Sequence, residues 1–210
     1  MKKILLVDDH SVVRTGLKNL LSLEDDMMVA DEAEDGVEAL QKIRHGHFDI
    51  VIMDISMPRK NGVDTLHELR HFAPELPVLI LSGHSEEKYA LPMIRSGCRG
   101  YISKDSNPEE IVTAIRTICA GNHYVSATLK ELMIDKLTGP SDSMPHETLS
   151  EREFQVFYKL ASGEKLTDIA EEMFISVKTV GTYRSRILEK MGMKSNSDLT
   201  LYSIKHELLM

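Results

Sequence analysis

Short apolar runs alternate with amphipathic stretches along the first 120 residues. The runs occupy 4–7, 28–30, 50–53, 78–81 and 100–102. Helical spacing appears between them, most clearly at Val12, Leu17, Leu20 and Leu21 and again at Val37, Leu40 and Ile43. Runs of this length bounded by turn residues predict buried strands, and strands alternating with helices predict βαβ units around a parallel sheet. Cap signals agree. Asp35 stands three residues before Glu38, and Asn107-Pro108-Glu109-Glu110 places a cap, then proline at the first helical position, then acids. Pro92 falls inside a helix expected over about 85–95, and should kink that helix or delay its start.

Residues 122–138 read as one further helix, ending near Gly139-Pro140. The segment 139–146 is polar and holds two prolines, the composition of a linker. Beyond it the pattern is helical throughout. Ser150 and Glu153 form a capping box for a helix to about 161, followed by helices at 166–173, 177–191 and 197–208, with a turn at 174–176. The chain therefore divides into an α/β domain (1–121), a linker including one helix (122–147) and a small all-α domain of four helices (148–210).

Composition narrows the function. At 42% apolar and 28% charged residues the chain can bury real cores. No apolar stretch is long enough to span a bilayer, and Asp8-Asp9 interrupt what would otherwise read as a leader after Met1-Lys2-Lys3, so a cytoplasmic protein without membrane association is expected. Cys98 and Cys119 lack a paired Cys/His spacing and read as reduced, packed thiols. The net charge of −8 is uneven. Residues 1–144 hold 16 Lys and Arg against 23 Asp and Glu, whereas 145–210 hold 9 against 10. Within the second part, Lys178, Arg184, Arg186, Lys190 and Lys194 face only Glu189, a basic patch suited to nucleic acid.

In an open parallel sheet, ligands bind at the carboxyl ends of the strands. Asp8 and Asp9 follow the first predicted strand, Asp54 the third, Ser82 ends the fourth and Lys104 follows the fifth. Three clustered carboxylates repel one another unless a cation joins them, and hard oxygen donors suit Mg²⁺. Phosphoryl transfer to one carboxylate fits this set, with Lys104 and the Ser82 hydroxyl holding the product oxygens.

These residues carry a resemblance. Ile4-Leu-Leu-Val-Asp-Asp-His10, Asp54-Ile-Ser-Met-Pro-Arg-Lys-Asn-Gly62, Leu81-Ser82 and Gly100-Tyr-Ile-Ser-Lys104 resemble the receiver domain of bacterial response regulators, with the spacing intact over 2–120. The resemblance implies a flavodoxin-like five-stranded sheet of order 2-1-3-4-5, the order that receivers exemplify. It implies phosphorylation of Asp54 by a histidine kinase. It also implies a Mg²⁺ held by Asp9, Asp54 and the backbone carbonyl of Ser56, with Asp8 assisting through water. Ser82 and Tyr101 would be the switch pair, the ring following the hydroxyl inward. Gly83 and Asp105 depart from the alanine and proline common at those positions. His84, two residues past Ser82, is expected to influence the lifetime of the phosphorylated state.

In the C-terminal part, Val180, Ile187 and Met191 form a buried stripe with Leu188 beside it. Lys178, Thr182, Ser185 and Glu189 lie opposite, flanked by Thr179, Gly181 and Arg186, while Arg184 falls near the apolar side and must snorkel outward. Leu149-Ser-Glu-Arg-Glu153, Asp168-Ile-Ala170, Ile175-Ser-Val-Lys-Thr-Val180 and Ile187-Leu-Glu-Lys-Met-Gly-Met193 resemble the LuxR-type DNA-binding domain. A receiver joined to that domain resembles the NarL/FixJ family. This second resemblance implies a non-enzymatic, phosphorylation-dependent transcription regulator that dimerises, binds paired half-sites through the major groove and acts with RNA polymerase. Its expected DNA-binding residues are Lys178, Thr179, Gly181, Thr182, Tyr183, Arg184, Ser185, Arg186 and Lys190. Gly181, Tyr183 and Ser185 stand where the family often has basic or base-contacting residues, which keeps an alternative open: a regulator acting mainly by protein–protein interaction. A phosphatase-like hydrolase using Asp54 is disfavoured, because the second acid such enzymes need two residues on is replaced by Ser56.

Overall fold

The computed structural model describes residues 1–83, 86–138, 144–206 and 208–209. It divides into two compact units, Met1–Leu137 and Thr138–Met210.

The first unit is a parallel sheet of β1 (Lys2–Val7), β2 (Met27–Ala33), β3 (Ile50–Met53), β4 (Val78–Ser82) and β5 (Gly100–Ser103), in the order β2-β1-β3-β4-β5. The helices are α1 (Ser11–Leu21), α2 (Gly36–His45), α3 (Gly62–Phe72), α4 (Glu86–Arg95), α5 (Pro108–Cys119) and α6 (Ala127–Thr138). Every residue of β3 and β4 is buried, as expected for central strands covered on both faces. Alternate strand residues build separate cores. Ile4, Leu6, Ile50, Ile52, Leu79, Leu81 and Ile102 pack with Leu17 and Leu21 of α1 and with Ile111, Ile115 and Ile118 of α5. Burial of each such side chain contributes about 1.5–3 kcal/mol.

Three segments differ from the sequence expectation. β2 extends to Ala33 through Asp31 and Glu32, because an edge strand buries alternate residues and can carry polar ones between them. Residues 122–126, expected to begin a helix, are not helical, and Tyr124 forms a parallel bridge to Gly100. α6 starts only at Ala127, where the Ser126 hydroxyl accepts from the Leu129 amide at 3.1 Å. Its expected end at Gly139-Pro140 lies outside the described residues. α4 runs through Pro92. The start is thus not delayed to the proline; Pro92 has no amide to donate, and its carbonyl still accepts from Ser96.

Other local expectations are met. The buried Asp35 carboxylate caps α2 through the amides of Val37 and Glu38, while Glu38 reaches back to the Glu34 amide. Pro108 opens α5, although the Asn107 side chain makes no cap bond. Cys98 is buried and its thiol is pushed up to about 12 by that burial, which makes it inert at neutral pH. No helix among the described residues is long and apolar enough to cross a membrane.

The second unit opens with a 3₁₀ turn at Pro145–Thr148, followed by α7 (Glu151–Ala161), α8 (Leu166–Glu172), α9 (Val177–Met191) and α10 (Asn196–Lys205). The turn belongs to folded structure, since the His146 ring nitrogen Nδ1 lies 2.7 Å from the Tyr202 hydroxyl. The Ser150–Glu153 capping box forms as expected. Phe174 takes a positive φ of 54° in the tight turn between α8 and α9. Phe157, Ile169, Val180, Ile187 and Leu199 are fully buried and hold α7–α10 together.

Candidate functional site

The sheet register sets the crevice. β1 and β3 pair from Ile4 with Ile50 to Val7 with Met53, so Asp8 and Asp54 leave adjacent strands at the same level. The Asp54 amide donates to the Val7 carbonyl at 2.8 Å, and the Asp8 amide to Ala33 at 3.1 Å. On the far side, the Lys104 amide donates to the Ser82 carbonyl at 2.8 Å. Lys104 Nζ then reaches Asp8 Oδ2 at 2.7 Å and Asp54 Oδ2 at 2.8 Å.

Asp8 and Asp54 are almost wholly buried, at 3% and 4% exposure, whereas Asp9 and His10 are exposed. Burial raises the Asp54 carboxyl above its ordinary value, and the Asp8 charge adds to that; Lys104 opposes it without cancelling it. Burial alone would lower Lys104, but its bonds to Asp54 and Asp8 outweigh this and hold the ammonium above its ordinary value. Asp8, Asp9, His10 and Asp54 bring one donor atom each within 4.8 Å of the others. The three carboxylates are a hard donor set that fits a small oxygen-seeking dication, and His10 Nδ1 is 2.9 Å from Asp9 Oδ1.

Ser82 and Tyr101 are both fully buried. Burial raises the Tyr101 phenol, and a hydrogen bond to Ser82 works against that rise. The ring is thus already inward and joined to the serine. Ser56 sits exposed in the loop after β3. Gly83 has open space where a Cβ would stand. No cis peptide bond occurs among the described residues. His84 lies outside the described residues.

Three features went unread in the sequence. Arg14, on α1, donates from Nη1 to the Asp8 carbonyl at 2.6 Å and pairs with Glu32 and Glu34, clamping the strand end that delivers Asp8. Gly62 donates to the Ile55 carbonyl at 2.9 Å, and a Cβ there would stand 2.2 Å from the Asp54 carbonyl oxygen. The loop after β3 is tied to the start of α2 by the Arg59–Asp35 ion pair and by the Gly36 amide, 2.9 Å from the Lys60 carbonyl. Only the shortness of the Asp54-to-Gly62 loop hinted at such close packing.

In the second unit, α9 presents Lys178, Thr182, Ser185 and Arg186 as exposed residues, with Thr179, Gly181 and Tyr183 half-buried. Two of the expected DNA-binding residues are engaged within the unit. Arg184 does not snorkel freely; its Nε donates to Asn196 Oδ1 at 2.7 Å. Lys190 Nζ pairs with the buried Glu153 carboxylate at 2.6 Å. The hydroxyls of Thr182 and Ser185 donate back to the carbonyls of Lys178 and Gly181, each at 3.1 Å. Gly181 has open space where a Cβ would be added. Gly181→Ala should therefore gain about 0.5–1 kcal/mol of helix stability without a clash. If the missing Cβ serves close approach to DNA, the same variant should bind specific DNA more weakly. Thermal melts and binding curves on one sample separate the two effects, and unchanged affinity would make Gly181 neutral.

This arrangement of sheet, crevice and helix-turn-helix defines a class: a phosphoacceptor domain coupled to a DNA-binding domain. Residues 4–116 match the response regulator receiver domain, and 147–203 match the bacterial regulatory proteins of the luxR family. The chain belongs to the response regulators of the NarL/FixJ family, and it is a phosphorylation-dependent, DNA-binding transcription regulator. It is 36% identical to the oxygen regulatory protein NreC of Staphylococcus carnosus over 99% of both chains. It is similar to a LuxR-family two-component response regulator from Aurantimonas sp. SI85-9A1, at 32% identity, covering 65% of this chain and 98% of that one with a TM-score of 0.62. RcsB from Salmonella enterica, solved on promoter DNA with the phosphomimetic BeF₃⁻, shares the fold at 21% identity and a TM-score of 0.70, covering 96% of this chain and 97% of that one.

Proposed function

We propose that Asp54 is the phosphoacceptor and that its phosphorylation by a histidine kinase switches α9 of this chain into productive DNA binding. The observation that carries this reading is the buried Asp54 carboxylate, 2.8 Å from Lys104 Nζ and beside the acids Asp8 and Asp9. Asp9, Asp54 and the Ser56 carbonyl would hold Mg²⁺, with Asp8 assisting through water. When bound, the ion supplies positive charge that offsets repulsion between the carboxylates and an incoming phosphoryl group. The Asp54 oxygen attacks phosphorus as the P–N bond to the kinase's phosphohistidine breaks and that imidazole leaves, while Lys104 keeps its proton and grips a phosphoryl oxygen. Ser82 donates its hydroxyl to another, and Tyr101 holds its inward position behind the serine.

The output depends on α9. Lys178 and Arg186 supply phosphate contacts, and Thr179, Thr182, Tyr183 and Ser185 line the face offered to the major groove. Arg184 and Lys190 act instead by bracing α9 against α10 and α7. The regulator works as a phosphorylation-induced homodimer on paired half-sites, in the cytoplasm, with RNA polymerase. The domain boundaries that serve this reading are 1–121 and 148–210, with 122–147 joining them.

Those two inward-tied cations also favour a second reading, in which weak intrinsic DNA affinity is supplemented by contact with another transcription factor. Gel shifts with genomic fragments distinguish the two. Under the main reading, acetyl phosphate with Mg²⁺ gives retained fragments carrying half-sites about one helical turn apart or a multiple of it. Arg186→Ala should weaken binding to all sequences and flatten the salt dependence by about one log–log unit. A phosphorylated protein that stays monomeric and shifts no fragment contradicts the main reading.

A further inference from the structure

α3 carries two histidines one turn apart on its outer side. The His67 and His71 rings have centroids 4.9 Å apart at an interplanar angle of 73°, and both residues are exposed. Beneath them Leu66 and Leu69 are buried in the receiver core, so the pair stands on a fixed helix rather than a loop. The segment reads His67-Glu68-Leu69-Arg70-His71. Histidines at this spacing project from one helix face and can grip a single divalent ion between them.

We propose that His67 and His71 form a binding site for a divalent transition ion of the zinc class, distinct from the acidic crevice. The donor sets differ, two imidazoles on α3 against three carboxylates with His10 in the crevice. Neutral imidazole suits Zn²⁺, Cu²⁺ and Ni²⁺, whereas carboxylate and carbonyl oxygens suit Mg²⁺. The pair supplies two ligands and leaves the remaining positions of the ion open to water.

The same five-residue pattern can serve peptide hydrolysis when its glutamate acts as a base, but here Glu68 is committed. Its carboxylate pairs with Arg44 at 3.0 Å and with Lys60. Among the described residues, the only group of three or more such donors gathered closely enough for an ion is the acidic crevice. The site therefore binds and does not hydrolyse. With two protein ligands rather than three or four, the site binds its ion more weakly than a structural zinc site.

The test is a Zn²⁺ titration of the full chain in millimolar Mg²⁺, followed by calorimetry and by the NMR signals of the histidine rings. The expected result is one Zn²⁺ per chain, moving the His67 and His71 signals together. His67→Ala and His71→Ala should each weaken binding by about a hundredfold, the upper end of what loss of even a supporting partner costs a metal site. His10→Ala and Asp54→Asn should leave it unchanged. Both histidines are exposed, so the zinc-free double variant should melt as the wild type does. Undiminished Zn²⁺ binding by the double variant overturns the proposal. So does weakening by only one of the two single variants, or displacement of Zn²⁺ by Mg²⁺.

Discussion

Asp54→Asn should end phosphoryl uptake at position 54. The wild-type chain, given Mg²⁺ and acetyl phosphate, should gain one phosphoryl mass that is labile to base or hydroxylamine. The variant should gain none there. An amide in place of the carboxylate has no anionic oxygen to attack phosphorus. The fold should survive, because Asn matches Asp in shape and its carbonyl oxygen can still accept the Ile55 amide that Asp54 Oδ1 now accepts at 2.7 Å. Lys104 keeps Asp8 as a partner at 2.7 Å. A lost adduct in a normally melting protein thus reports chemistry rather than unfolding. Labelling that persists in full would place the acceptor elsewhere and undo the assignment of the crevice.

Gly62→Ala should be nearly as damaging, through sterics. The added Cβ would meet the Asp54 carbonyl oxygen at 2.2 Å and the Ile55 Cα at 3.0 Å, both backbone atoms that no rotamer change can move. Overpacking of this kind costs about 1–3 kcal/mol. The displaced backbone is that of the proposed phosphoacceptor, and a shift of about 1 Å at a reacting group can slow its chemistry about a hundredfold. Two readouts are needed: the melting temperature of the receiver unit and the rate of acetyl phosphate uptake. Both should fall. A lower melting temperature with an unchanged rate would mean that the loop yields away from Asp54, and Gly62 would then be a packing residue only.

The positions of the crevice residues were legible because strand ends are legible. Apolar runs at 4–7, 50–53 and 78–81 stop at Asp8, Asp54 and Ser82, and a parallel sheet gathers its carboxyl ends along one edge. The span of α9 was readable for a similar reason, since Ser176 caps it and Gly192, at φ 65°, closes it. What escaped the sequence depends on tertiary partners. Periodicity places Arg184 and Lys190 on a wheel but says nothing of Asn196 or Glu153, which hold them. Arg14 looks like an ordinary surface residue of an amphipathic helix until the fold sets it under the Asp8 carbonyl. The edge position of β2 hides its length, because Asp31 and Glu32 break the apolar run without breaking the strand. Residues 122–126 lack strand periodicity altogether, and nothing in the sequence announces the bridge of Tyr124 to Gly100 at the sheet edge.

The most direct measurement is genome-wide DNA capture by the full-length chain, with and without acetyl phosphate, run beside Asp54→Asn. Phosphorylation-controlled DNA binding requires a set of fragments that the wild type enriches only with the phosphodonor and that the variant never enriches. The same fragments recovered by Asp54→Asn, or by the wild type without donor to equal extent, would show that DNA binding does not pass through Asp54.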